Sequence, residues 1–193
     1  MTRTLGRAVS IRDYEDFARA YSGIAKARAQ VLHLRTGPAV VITIAGPDGI
    51  VISEDSPVWV NLRAALAVSG DPHVAVRLLP YRPARFHLAL KVKTDPDFEQ
   101  TKVFAAVESA LRTQFGFDAR DLGQPVQQSE VIAVAHSVLG VIAVDLDLLY
   151  RGTTPSRQTR LLAERMTVRH GEPVADELLT LEPAPFDHFE AMR

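Results

Sequence analysis

The chain has 193 residues, enough for one compact domain or a domain with a substantial tail on the usual scale of about 100–200 residues. Its 47% apolar and 23% charged content speaks against wholesale disorder, and 22 Lys+Arg against 23 Asp+Glu leave a net charge of −1, no basic field for nucleic acid or an anionic membrane. With no cysteine, a disulfide scaffold, a Cys-ligated zinc or iron–sulfur site and a cysteine nucleophile are excluded.

The longest apolar runs, such as Val138 to Val144, fall well short of the roughly 20 residues a membrane-spanning helix needs. The opening Met1 to Arg7 lacks the apolar stretch of a secretory signal, so a chain made and kept in the cytosol is expected.

Ser10, with Asp13 three positions on, predicts the N-cap of a short amphipathic helix carrying Ile11, Tyr14, Phe17, Ala18 and Tyr21, stopped near Gly23. Ala25, Ala27, Ala29 and Val31 then alternate with polar residues, the period of a half-buried strand. Ala39 to Ala45 is almost continuously apolar, which fits a strand buried on both faces. Ser56 before Pro57 starts a second helix with Trp59, Leu62 and Leu66 inward and Gly70 at its end. Val74, Val76 and Leu78 form one strand, and Phe86, Leu88, Leu90 and Val92 the next, either side of a turn at Pro80 to Pro83.

Asp97 with Gln100 is expected to open the longest helix, burying Phe104, Val107, Leu111 and Phe115, and Ser129 to cap a short one reaching about His136. In a last strand from about Leu139 to Leu149, Ile142, Val144, Leu146 and Leu148 should face one way and Asp145 and Asp147 the other. From Arg151 the pattern changes to prolines and charges, with one apolar cluster at Leu178, Leu179 and Leu181.

The order of elements is α+β. It predicts a ferredoxin-like, split β-α-β sandwich over residues 1–150, with an extra N-terminal helix and strand, followed by an extended C-terminal tail over 151–193 with one docking segment. In that tail Leu178, Leu179 and Leu181 are either the apolar anchors of a partner interface or the part that folds back on its own domain.

No metal-binding spacing links the six histidines, and no phosphate-binding loop or nucleophile elbow is present. Asp145 and Asp147 place two carboxylates on one strand face, a pair that would need further acids to hold a cation. Arg85, His87, Lys91 and Lys93 make the best basic stripe, but Phe86 lies on the opposite face, so the interleaved aromatics of a nucleic-acid platform are missing.

Gly6-Arg7-Ala8-Val9-Ser10-Ile11-Arg12-Asp13-Tyr14-Glu15-Asp16 and Ser22-Gly23-Ile24-Ala25-Lys26-Ala27 resemble the opening of the C-terminal region of baseplate J-like proteins. Leu122-Gly123-Gln124-Pro125 through Ser129-Glu130-Val131-Ile132, Gly140-Val141 to Val144, and Glu177-Leu178-Leu179-Thr180-Leu181 continue the likeness in order and spacing. Ser22 stands where that family usually has proline, and its members are typically several hundred residues longer at the N-terminus, so a C-terminal portion of a longer protein is expected.

The resemblance implies a non-enzymatic structural subunit of the baseplate wedge of a contractile phage tail or phage-like injection system. It implies no catalytic residue, cofactor or metal, no nucleic-acid partner and no membrane insertion. The partners it implies are other wedge and hub proteins and further copies in a ring. Assembly would take place in the cytoplasm before incorporation into the virion or injection-system baseplate. The competing expectation is a small-ligand or metal-binding enzyme domain on a ferredoxin-like scaffold, with Asp145, Asp147 and His136 as first suspects. A third is a nucleic-acid module using Arg85, Lys91 and Lys93.

Overall fold

The computed structural model describes residues 10–192, so Gly6 to Val9 of the first family-like stretch lie outside the described residues. In chain order the elements are α1 (Ile11–Ala20), β1 (Lys26–Leu34), β2 (Gly37–Ala45), α2 (Pro57–Ser69), β3 (Ala75–Pro80) and β4 (Arg82–Thr94). There follow α3 (Gln100–Gln114), β5 (Val126–Gln127), α4 (Gln128–His136), β6 (Val141–Arg151) and β7 (Arg160–Leu161). The last four strands are β8 (Thr167–Arg169), β9 (Glu172–Val174), β10 (Glu177–Leu181) and β11 (Phe189–Ala191). The class is α+β.

These elements form two compact units. One takes the chain up to Pro83 together with Glu164–Glu177, and the other takes Ala84–Ala163 together with the chain from Leu178 on. Residues 151–193 supply five strands, β7 to β11, and are divided between both units.

In the first unit Ser10 and Asp13 make a reciprocal capping box at the start of α1, as their spacing predicts. Ser56 caps α2, with Pro57 at the first helical position. β1 and β2 form a long antiparallel hairpin, and β3 lies parallel on the other edge of β2. The continuous apolar run of β2 is buried on both sides. Val40, Ile42 and Ile44 pack with Tyr14, Ala18, Trp59, Leu62 and Leu66 of the two helices, while Ala39 and Val41 pack with Leu32, Leu34 and Met166.

The segment carrying Met166 is stitched to β2 through a buried aspartate. Asp176 N–H donates to Thr43 Oγ1 at 3.1 Å, and its carboxylate accepts Met166 N–H at 2.9 Å beside the Arg28 guanidinium at 3.8 Å. Arg82 N–H donates to the Asp176 carbonyl, and the Arg82 guanidinium to Glu164 and the Ala175 carbonyl.

The second unit is organised on β4, whose Phe86, Leu88, Leu90 and Val92 point into one core. Helix α3 brings Val103, Val107 and Leu111 to that core, with Phe115 at its end, and α4 brings Val131 and Ala135. The Phe86 and Phe115 rings meet edge to face at 5.6 Å. β6 pairs antiparallel with β4, while β10 and β11 also pair with it. Neither short helix signal marks the actual cap. α3 starts after Glu99, with Asp97 N–H turned to the Asp95 carboxylate, and α4 starts after Gln127 with Ser129 already inside it.

The ferredoxin-like arrangement is not formed. The four strands expected in one sheet fall in two, with β2 and β3 in one and β4 and β6 in the other. The cause is edge occupancy: the β1–β2 hairpin takes one edge of β2 and β3 takes the other, so β2 has no free edge for β4 or β6.

The expected alternation along β6 also fails at two places. The ladder with β4 slips between Ala89 and Leu90 and again between Lys93 and Thr94, which leaves Asp147 and Ile142 as extra residues. Val144, Leu146 and Leu149 pack on the core, whereas Ile142 is exposed and Leu148 stands opposite Ala89.

Leu178, Leu179 and Leu181 are buried within the chain, and Leu179 and Leu181 join the β4 core. Leu179→Ala is expected to cost about 2–5 kcal/mol, read as a lower urea midpoint with unchanged slope. The same change at the exposed Leu162 should leave the midpoint nearly unmoved.

Candidate functional site

Asp145 stands opposite Lys91 on the β4–β6 sheet face that carries the outward side chains of β4, whereas His136 ends α4, which packs on the core. Asp147 is the extra residue of a bulge, and its carboxylate reaches Lys91 Nζ of β4 at 3.0 Å and His188 Nε2, just before β11, at 2.8 Å. The His188 hydrogen bond and then the Lys91 ammonium hold the Asp147 carboxyl below the usual carboxylate range, and Asp147 in turn raises Lys91.

Asp145 faces Arg157 at 3.6 Å instead, and His136 Nε2 lies 3.2 Å from the Ile142 carbonyl. Asp145, Asp147 and His136 are thus drawn to different partners. Among the described residues no group of three or more His, Asp or Glu could hold a metal ion.

The basic stripe is dispersed in the same way. Arg85 donates to Thr180, Lys91 pairs with Asp147, and His87 stacks on Tyr150 with ring centroids 5.0 Å apart. Phe86 is in the core, as its place in the alternation requires. Tyr150 donates to Asp187 at 2.6 Å, and that bond to a carboxylate pushes the phenol up to about 12.

Two arginines carry structure that composition does not reveal. Arg120 is fully buried. Its guanidinium pairs with Glu130 at 3.0 Å, donates to the Gln124 and Pro125 carbonyls, and lies over the Phe115 ring. Burial pushes this guanidinium downward in pKa and Glu130 opposes it. The string from Leu122 to Ile132 thus runs through a turn and β5 into α4, and supplies the partners of one buried cation. Arg112, tied to Glu108 four residues back, donates to the carbonyls of Glu182, Pro183 and Ala184 and covers Phe186. The i, i+4 spacing of Glu108 and Arg112 is readable, but the distant carbonyls are not.

Within the first unit alone, a mainly apolar groove of about 520 Å³ is lined by Ile11, Tyr14, Val31, Ala39 and Val74, with Asp71 and His73 at its polar side. Tyr14 hydroxyl accepts Asp71 N–H at 3.1 Å and so closes one side of it.

Residues 6–79 match the family model described as the baseplate J-like central domain. The baseplate J-like resemblance thus stands over that stretch, and the matched region is the central domain where the sequence motifs suggested the C-terminal one. The fold is similar to that of a chain in a structure titled as the cryo-EM structure of the anti-feeding prophage (AFP) baseplate, 6-fold symmetrised. The TM-score is 0.63 at 11% identity, over 92% of this chain and 38% of the other, so this chain spans well under half of that protein. No curated protein matches the sequence.

Two outcomes test this geometry. Arg120→Ala leaves Glu130 and two carbonyls without their buried cation and should cost on the order of 3 kcal/mol, measured by urea unfolding. In a spectrophotometric titration Tyr150 should be the phenol that ionises near pH 12, and Asp187→Ala should bring it down towards 10. Because folding raises this pKa, the bond's stabilisation is complete below about pH 10 and disappears as pH rises through the folded value.

Proposed function

We propose that this chain is a structural part of the baseplate of a contractile phage tail or a phage-like contractile injection system. The observation that carries the reading is the agreement of two comparisons. A family model matches residues 6–79, and the fold of a baseplate chain is similar over 92% of the sequence. The titratable residues of the β4–β6 sheet support it from the other side, since Lys91, Asp147 and His188 are spent on one another and Asp145 is paired with Arg157. Asp145, Asp147 and His136 do not converge on a shared point, and no observation favours the enzyme reading over this one.

In this reading the chain works in the wedge, without catalysis. It contacts other wedge and hub proteins and further copies of itself around a ring. It assembles in the cytoplasm and ends in the baseplate of the finished particle. The near-neutral balance of charges suits protein partners held by shape rather than by a one-signed field.

An affinity-tagged chain expressed in the producing cell tests the reading. Tagged material should copurify with sheath, tube and spike proteins by mass spectrometry, and a gold label on the tag should sit at the baseplate end of particles in negative-stain images. Intact particles from cells lacking the chain would overturn it.

A further inference from the structure

We propose that the segment Phe186–Met192 is a strand exchanged between copies of this chain, leaving its own β4 to pair with β4 of a second copy. The inference goes beyond the baseplate reading and does not rest on it.

The receiving site is built like a strand-addition groove. β11 lies parallel on β4 with Phe189 opposite Leu90, Glu190 opposite Lys91 and Ala191 opposite Val92. Asp187 N–H donates to the Leu88 carbonyl, Leu90 N–H to the His188 carbonyl and Met192 N–H to the Val92 carbonyl. One aromatic anchor goes with this ladder: Phe189 stacks on Phe104 at 4.6 Å and touches Phe186. Two polar pins fix the register, Asp187 on Tyr150 and His188 on Asp147. Main-chain bonds plus alternate side-chain pockets are what an added strand uses for affinity and specificity.

The occupant is set by the site itself. Whatever accepts this segment from its own chain accepts the identical segment from another copy with the same contacts, so the free-energy difference between closed and exchanged forms lies in the hinge. That hinge is Glu182-Pro183-Ala184-Pro185, exposed over its last three residues. Each proline biases the residue before it to extended backbone, which favours a straightened connection.

Arg112 opposes this. It gathers three successive carbonyls of the hinge on one guanidinium, lies 5.0 Å from the Phe186 ring centroid, and is itself held by Glu108 at 2.8 Å. Arg112 is thus the clamp that keeps the hinge curled and the strand at home. Once the clamp opens, reciprocal exchange closes a two-fold dimer, and head-to-tail exchange joins copies into a ring or string.

The absence of cysteine makes a direct test available. Neighbouring strands run about 4.8 Å apart, within disulfide reach, so Lys91→Cys and Glu190→Cys form a reporting pair. Full-length chains carrying one substitution each, distinguished by mass, are mixed at high concentration, oxidised and run without reductant. A mixed disulfide-linked dimer is expected, and Arg112→Ala in both chains should raise its yield severalfold.

A chain carrying both substitutions shows that the pair can bond. Full intrachain bonding there with no mixed dimer would overturn the exchange. So would an equal yield when Lys102→Cys, on exposed α3 surface, replaces Lys91→Cys. A mixed dimer whose yield Arg112→Ala leaves unchanged would overturn the clamp. Absence of exchange would leave the particle-localisation result untouched, so the two readings fail separately.

Discussion

Covering both edges of β4 is the constraint on which the second unit depends. Phe86, Leu88, Leu90 and Val92 commit one face of this thirteen-residue strand to the core, which fixes its register against α3 and α4. A strand so placed exposes unpaired N–H and C=O groups along any edge left bare. The segment that follows it in sequence returns as β6 and supplies one neighbour. β10 and β11, from almost a hundred residues downstream, supply the others. The last stretch of the chain is therefore part of the core sheet, and its leucines are consumed in forming it.

The same logic shapes the first unit. β2 is apolar on both faces, so two helices on one side cannot satisfy it. The far face is closed by residues around Met166, and a buried carboxylate pays for nothing unless it is hydrogen-bonded there. The Asp176 carboxylate meets that condition by accepting Met166 N–H beside the Arg28 guanidinium, while the Asp176 backbone N–H donates to the hydroxyl of Thr43. Chain from both halves of the sequence is thus required in each unit, and the polypeptide passes between the units three times.

Elements were legible in the sequence wherever the signal is local. The Ser10 and Asp13 capping box, the Ser56-Pro57 helix start, the doubly buried run of β2 and the alternation of β4 all rest on neighbours within a few residues. Strand partners were not legible, because pairing depends on which edge remains free after other segments have taken theirs. Strands β7, β8, β9 and β11 have only two or three residues each, too few to show a period. The bulge at Asp147 did leave a trace, since the Leu148-Leu149 doublet interrupts a strict in-out alternation. For Leu178, Leu179 and Leu181, three apolar residues within four positions say only that burial is required. They do not say whether the burying surface belongs to the same chain.

The likeness at 11% identity is one of fold alone. Apolar positions need only keep their period and approximate volume, so they can drift far. A buried charge cannot, because its partners must change with it. The segment from Leu122 to Ile132 illustrates the difference. Leu122 and Val126 are replaceable by other apolar side chains, whereas Arg120 requires a carboxylate at Glu130 and two backbone carbonyls turned inward at Gln124 and Pro125.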